Sequence, residues 1–231
     1  MSVNIYKCME KRSIFSLRIE DAGYPALLRE IADPPQRLYC LGCREILEGL
    51  SRKVVAVVGT RKMTAYGKQS AVSIVSGLAA SGVTVVSGLA LGIDAVAHQT
   101  QLEAGGRTLA VLGCGVDVIY PPQNSGLYHK MIDRGLIISE FPPGVKPRPE
   151  YFPRRNRLIS GLSQAVVVIE GQLKSGSLIT AKLALDQGRE VMAVPGPINA
   201  ANSRGPAYLI KNGAVVVESA LDIIEALNLP V

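Results

Sequence analysis

The chain has 231 residues, of which 48% are hydrophobic and 19% charged, so it can bury a substantial core and widespread disorder is excluded. Its apolar runs fall short of the ~20 residues that a membrane span requires, and its first residues lack the features of a secretory signal. We therefore expect a cytoplasmic protein with no membrane segment. The formal net charge of +6 is a weak indication of a polyanionic partner.

The first 50 residues differ from the rest of the sequence. They contain a helix-sized patch at 24–31 and a short strand-like run at 38–41. We interpret residues 1–50 as a short N-terminal lead-in that packs on a main domain of residues 51–231.

Apolar runs alternate with helix-like segments throughout the main domain. Such alternation predicts a Rossmann-like, doubly wound and mainly parallel α/β sheet with helices on both faces. About seven strands are expected, at residues 54–58, 83–86, 108–112, 136–139, 165–169, 191–194 and 214–217. Helices are expected at residues 71–79, 93–104, 126–134, 178–187 and 208–212, and a short one follows Phe152.

Three loops that follow predicted strands carry groups suited to bind phosphate. In open parallel sheets, ligands bind beyond the carboxyl ends of the strands. Gly59-Thr60-Arg61 follows the first strand, and Arg61 can hold a phosphate with two parallel hydrogen bonds. Ser87-Gly88 follows the second strand and Ser175-Gly176-Ser177 the fifth, and each precedes a helix whose N–H groups attract anions. Asp94 is expected to begin a helix rather than to act as a catalytic acid.

The positive charge is concentrated in a proline-rich segment, residues 144–160, where five residues are Lys or Arg and one is Glu. Phe152 precedes Arg155, Asn156 and Arg157 there. Proteins hold a single nucleic-acid strand with cations that follow the phosphates and rings that stack on bases. A solvated basic loop is the alternative interpretation.

Metal and cofactor sites are not expected. Cys40 and Cys43 have the C-x-x-C spacing of redox and zinc sites, but no second such pair follows, and His98 and His129 are the only histidines. The G-x-G-x-x-G fingerprint of a dinucleotide site does not follow the first strand, which makes a nicotinamide dehydrogenase improbable.

From Tyr24 onward, the motifs resemble those of the DNA processing protein A family, also called Smf. The matching pieces are YPALL at 24–28, DPP at 33–35, GTR at 59–61, SGLALGID at 87–94, YPPQN at 120–124, SE at 139–140, FPRRNRLISGLS at 152–163, SGSLITA at 175–181 and VPG at 194–196. The agreement of so many pieces in one order makes chance very improbable.

The resemblance implies a non-enzymatic protein that protects incoming single-stranded DNA during natural transformation and loads the recombinase RecA. It also implies a homodimer built from the Rossmann-like domain. Its DNA pocket would use Arg61, Phe152, Arg155, Asn156 and Arg157, near the anion loops Ser87-Gly88 and Ser175-Gly176-Ser177. Many family members begin with a longer helical domain and end in a winged-helix-like domain. We expect only a short lead-in and no winged-helix domain here, so the chain is either a minimal member or a truncated one.

The rival interpretation is a Rossmann-like, nucleotide-binding enzyme of the phosphoribohydrolase type. Those enzymes use a P-G-G-x-G-T-x-x-E motif after a late strand. The equivalent stretch begins at Glu170 and has Thr180 where the catalytic Glu would stand. A pocket without that carboxylate can hold a phosphate but lacks the expected acid–base group.

Overall fold

The computed structural model describes residues 13–48, 50 and 53–229. These residues form one nine-stranded sheet. The strands are β1 Phe15–Arg18, β2 Arg37–Gly42, β3 Val54–Val58, β4 Thr84–Ser87, β5 Thr108–Val111, β6 Leu136–Ser139, β7 Ala165–Val168, β8 Glu190–Ala193 and β9 Val215–Val216. The α-helices are α1 Ala26–Arg29, α2 Glu45–Glu48, α3 Ala65–Ala80, α4 Ile93–Glu103, α5 Ser125–Arg134, α6 Tyr151–Gly161, α7 Gly176–Asp186, α8 Arg204–Lys211 and α9 Ala220–Ala226.

Neighbouring strands from β6 to β9 in the spatial order are parallel, and the strand order changes direction at β3. The spatial order is β1-β2-β6-β5-β4-β3-β7-β8-β9, and all pairs between β3 and β9 are parallel. Strands β4 to β6 are added on one side of β3, and β7 to β9 on the other. In doubly wound folds, a crevice opens at this switch point, beyond the carboxyl ends of the strands. The expected fold class is confirmed.

The seven strands expected in the main domain are present as β3 to β9, but the sheet has nine strands among the described residues, because the lead-in adds β1 and β2. β2 pairs antiparallel with β6, and β1 pairs antiparallel with β2. The four residues of β1 include only one buried side chain, Leu17, so hydrophobic periodicity gives too little signal to identify this strand. The division at residue 50 stays a prediction.

Both faces of the central strands are buried, which explains their continuous valine-rich sequence. In β3, Val54, Ala56 and Val58 pack towards α6, α7 and α8, whereas Val55 and Val57 pack towards α3, α4 and α9. α6 lies on the same face as helix α1, and its Gly161 lies against the side chains of Leu28 and Ile31. None of the described helices is long and apolar enough to cross a membrane.

Helix α3 begins earlier than the expected residue 71. The Thr64 hydroxyl accepts a hydrogen bond from the Gly67 N–H at 3.1 Å and caps the first turn. The helix ends before Gly82, whose φ of +70° favours glycine. The added N-terminal turns bring α3 to the loop that carries Arg61, at the edge of the crevice.

Candidate nucleic-acid interface

Two adjoining cavities occupy the crevice at the carboxyl ends of the strands. The larger, about 640 Å³, lies between the loops that follow β3 and β7 and the first turns of α6 and α7. The smaller, about 260 Å³, lies between the loops that follow β4 and β5. The larger volume falls within the roughly 300–1,000 Å³ typical of ligand sites. Five residues line both cavities, namely Arg61, Ala90, Tyr120, Phe152 and Arg155.

A stack of two rings and one cation stands at the junction of the cavities. The Phe152 and Tyr120 rings lie 5.3 Å apart between centroids, with an interplanar angle of 29°. The Arg61 guanidinium carbon lies 5.6 Å from the centroid of the Phe152 ring. Arg61 is exposed, and both rings are half-buried. The arrangement therefore presents an accessible positive charge and an aromatic surface to the same space.

The loop that carries Arg61 is held by its neighbours on both sides. The Thr60 N–H donates to the Glu170 carbonyl at 2.7 Å, and the Thr60 carbonyl accepts from the Ile93 N–H at 3.2 Å. A Cβ at Gly92 would lie 2.2 Å from the Thr60 carbonyl oxygen, so the close approach of the two loops requires glycine there. The segments that follow β3, β4 and β7 are thus joined by hydrogen bonds beneath Arg61.

Glu170 is an organising residue of these segments that the sequence did not reveal. Its buried carboxylate accepts two hydrogen bonds from Thr64, from the N–H at 2.9 Å and from the hydroxyl at 2.6 Å. These bonds fix the start of α3 directly after the Arg61 loop. A carboxylate so occupied serves structure, and its position after a buried strand was the only sequence signal for it.

Arg155 is a buried residue that lines both cavities and connects their walls by hydrogen bonds. It is only 4% exposed, and its guanidinium donates to the carbonyls of Gly88 and Val111. Burial lowers the pKa of Arg155 to about 10, although the nearby carboxylate of Asp94 opposes the shift. Burial likewise raises the pKa of Asp94, against the opposing effects of Arg155 and of backbone N–H groups that include that of Gly88. Arg155 on α6 and Asp94 on α4 both bond to Gly88, so together they join these helices to the loop after β4.

Two of the residues expected at the DNA pocket have other partners in the structure. Arg157 forms ion pairs with Glu140 at 2.7 Å and with Asp33 at 3.2 Å, and it lines neither cavity. The Ser87 hydroxyl is fully buried and donates to the Val57 carbonyl at 2.7 Å. Ser87 is thus bonded inside the protein, whereas Arg157 keeps a buried Nη1 with no hydrogen-bond partner among the described residues. Their contact with phosphate stays a prediction.

The remaining expected residues do line the cavities. Gly88 lines the smaller cavity. Asn156 and the start of α7, Ser175-Gly176-Ser177, line the larger one. The Ser175 and Ser177 hydroxyl oxygens are 2.7 Å apart, and the Asn156 amide donates to the Gly176 carbonyl at 3.4 Å. The start of α7 and Arg61 thus line the same cavity, and a helix N-terminus and a cation both favour an anion.

Sequence reasoning also missed Tyr120 as a site residue, because it identifies Tyr120 only as the first residue of the YPPQN motif. The loop is ordered because the Asn124 amide donates to the carbonyls of Leu89 and Ala90 at 2.9 and 3.1 Å. This contact brings the Tyr120 ring onto Phe152, although the two residues are 32 positions apart in the chain. Only the tertiary structure could reveal this pair.

The cavities offer little for catalysis or metal binding. Asp94 is the only acid among the described residues that line them, and it is buried beside Arg155. Thr180, at the position of the phosphoribohydrolase Glu, donates its hydroxyl proton to the Gly176 carbonyl at 3.2 Å. Across residues 13–48, 50 and 53–229, no group of three or more His, Cys, Asp or Glu side chains is arranged to hold a metal ion.

Several known proteins have sequences similar to this one. The chain is 43% identical to DNA processing protein DprA of Bacillus subtilis over 217 residues, which cover 94% of the chain and 72% of that relative. The curated relatives that it matches are longer, and the chain spans between 52% and 73% of their length.

Two solved structures have closely similar folds. DNA processing protein A of Streptococcus pneumoniae superposes with a TM-score of 0.87 at 41% identity, covering 92% of this chain and 74% of that one. The Helicobacter pylori protein, described by its single-stranded DNA binding mode, superposes with a TM-score of 0.81 at 32% identity, covering 96% and 98%. The family described as DNA recombination-mediator protein A matches residues 15–228. The chain therefore belongs to the DNA recombination-mediator protein A family.

Proposed function

We propose that this protein binds single-stranded DNA in the crevice between the switch-point loops, without strong sequence preference. The observation that carries the proposal is the stack of Arg61, Phe152 and Tyr120 at the junction of the two cavities. The cation can contact any phosphate, and the rings can stack on any base. Membership in a family of recombination mediators and the likeness to the Helicobacter pylori protein support it.

The shape of the site favours a single strand over a duplex. Bases in a duplex are paired and stacked inside the double helix, so they cannot reach a ring that stands within a recess. Phe152 and Tyr120 are half-buried walls of two cavities, so a base must leave the stack to meet them. An unpaired strand supplies such bases without the cost of unpairing.

A competition experiment tests this proposal. A fluorescent oligodeoxythymidine is bound to the protein and displaced by unlabelled single strands of other sequences or by duplex of the same length. We expect single strands of any sequence to compete at similar concentrations, and duplex to compete poorly. Displacement by duplex at the same concentration as by single strand would refute the proposal.

We further propose that the bound strand is passed to the recombinase RecA in the cytoplasm during natural transformation. Family membership supports this role. The test is the rate at which RecA assembles on single-stranded DNA already coated with a single-strand-binding protein. The wild-type chain should accelerate assembly, and a Phe152→Ala variant with weakened DNA binding should accelerate it less. Equal rates with and without the wild-type chain would contradict the proposal.

A homodimer is the assembly that we propose. Four exposed apolar side chains, Leu173, Ile179, Leu185 and Tyr208, surround a groove between α7 and α8. Exposed apolar patches of this kind mark protein–protein contacts. Leu185→Glu should convert a dimer into a monomer in sedimentation analysis without loss of thermal stability. Leu221→Glu on α9, which is similarly exposed at 58%, is the control that should leave the dimer intact. A monomeric wild-type chain would overturn this assignment.

We propose a binding role rather than an enzymatic one. The acid–base group of a phosphoribohydrolase is replaced by Thr180, whose hydroxyl is bonded within α7, and Asp94 is buried. Incubation with nucleoside monophosphates should therefore release no free base. Turnover that disappears in a Thr180→Ala variant would instead support the enzyme interpretation.

A further inference from the structure

A second cluster of rings and cations lies beside the crevice, at the first turn of α6. The Tyr151 ring stacks on Phe141, with centroids 4.2 Å apart and an interplanar angle of 26°. The Arg148 guanidinium lies 5.7 Å from the Tyr151 centroid, and that of Arg154 lies 6.0 Å from the Phe141 centroid. Neither Tyr151 nor Phe141 lines the two cavities, so this cluster is separate from the Phe152 stack.

The aromatic pair is a fixed platform rather than a mobile surface. Phe141 is 9% exposed, and its N–H donates to the Ser139 hydroxyl at 3.0 Å. That hydroxyl donates in turn to the Cys114 carbonyl at 2.6 Å, which ties the platform to the end of β6. Tyr151 is half-buried against Phe141 and keeps part of its ring accessible. Because the Tyr151 ring is stacked on this fixed Phe141 ring, it loses little conformational entropy when a base stacks on it.

The cations of the cluster differ in their partners. Arg154 is bound to Glu140 at 3.1 Å, and the same carboxylate holds Arg157. Within the described residues, Arg148 forms no ion pair, and its exposed side chain lies near the Tyr151 ring. Arg148 is therefore the cation of this cluster that can bind a phosphate without breaking an ion pair.

We propose that this cluster is a second nucleotide subsite, with Tyr151 stacking on a base and Arg148 contacting a phosphate of the same single strand that Phe152 holds. The inference rests on the proposed function. Tyr151 and Phe152 are successive helical residues, so their side chains point about 100° apart. The two rings therefore cannot hold one base, and a strand that occupies both must place different nucleotides on them.

Oligonucleotides of two lengths test the subsite. Oligodeoxythymidines of about 4 and about 16 nucleotides bracket the site size of one single-strand-binding module. Arg148→Ala should weaken binding of the long oligonucleotide and reduce the magnitude of its salt slope by about 0.7, the value for one lost phosphate contact. Tyr151→Ala should weaken it roughly five- to a hundredfold with an unchanged salt slope, and Tyr151→Phe should restore binding. The short oligonucleotide should bind these variants as it binds the wild type.

Two controls separate the subsite from the pocket and from general charge. Phe152→Ala should weaken both lengths. Arg44→Ala removes another exposed arginine that lies over a ring, that of Phe15 at 5.1 Å. Arg44 follows β2, whose end pairs with the start of β6, so it lies at the edge of the sheet opposite the crevice. This variant should bind both lengths as the wild type does. If Arg148→Ala left both lengths unaffected, or weakened both equally, the separate subsite would be refuted while the pocket stood. If Phe152→Ala weakened neither length, the proposed function itself would fail.

Discussion

At the level of single residues, the proposed site combines the charge of Arg61 with the stacking surface of Phe152. The cation lies over the ring, so a strand bound there would contact both groups, and the two contacts would respond differently to salt. A phosphate contact releases counterions and steepens the dependence of affinity on salt, whereas a stacked base does not. Substitutions at the two positions can therefore be told apart by one kind of measurement.

Arg61→Ala should weaken binding of all single strands to a similar extent. One phosphate contact disappears, so the slope of log affinity against log salt should become shallower by about 0.7. The side chain is exposed and forms no ion pair in the described structure, so the melting temperature should not change. Unchanged affinity and slope would show that Arg61 lies outside the binding path.

Phe152→Ala should weaken binding by about 1–3 kcal/mol, the value of one stacked base, with the salt slope preserved. Phe152→Trp keeps an aromatic face and should bind well. Because the ring also packs on Tyr120 and lies near Gly113, the melting temperature of each variant must be measured beside its affinity. Normal binding by a stable Ala variant would rule out stacking.

At the scale of elements, α6 is joined to the loop after β4 by the contact of Arg155 with Gly88. A Cβ added at Gly88 would lie 2.6 Å from both terminal nitrogens of the buried guanidinium. The guanidinium cannot move without losing its hydrogen bonds to two carbonyls, so the contact has little freedom to relax.

Gly88→Ala should therefore destabilise the fold by about 1–3 kcal/mol, as overpacked interiors do. Chemical denaturation measures this change. Gly126→Ala on α5 is the matched control, because its added Cβ would have no heavy atom within 4 Å. Equal stability of the Gly88→Ala variant and the wild type would show that Arg155 can leave its place.

At the scale of the whole molecule, the buried His98 makes stability depend on pH. Burial lowers the pKa of His98 from 6.5 to about 3, and its Nδ1 lies 2.6 Å from the Thr108 hydroxyl oxygen. Below pH 6.5 the unfolded chain takes up a proton at this residue that the folded chain does not. Acid therefore favours unfolding, by at most about 1.4 kcal/mol per pH unit from this group.

The free energy of unfolding should thus fall more steeply between pH 6.5 and about 4 in the wild type than in a His98→Gln variant. The raised pKa of Asp94 acts in the opposite direction in both proteins, so the comparison isolates His98. Urea titrations at several pH values provide the measurement. Parallel pH profiles would show that His98 does not carry this dependence.

The sequence predicted the parts of the molecule that depend on local pattern. Valine-rich runs and their spacing identified the parallel sheet, and glycine-rich turns located the edge where the crevice opens. It could not reveal contacts between distant segments. The Tyr120–Phe152 stack, the Glu170–Thr64 bonds and the ion pairs of Arg157 all join separate loops. The sequence pattern of a basic run is the same whether one of its arginines faces solvent or pairs with a buried carboxylate.

We propose that the crevice selects a single strand by combining charge with stacking. The most direct test is a salt titration of the affinity for one oligonucleotide sequence, as a single strand and as a duplex. We predict tighter single-strand binding at every salt concentration, with log affinity falling by roughly 0.7 per contacted phosphate for each unit of log salt. The preference should persist at high salt, where stacking remains. Equal affinity for the duplex at every salt concentration would show that the crevice does not select single strands.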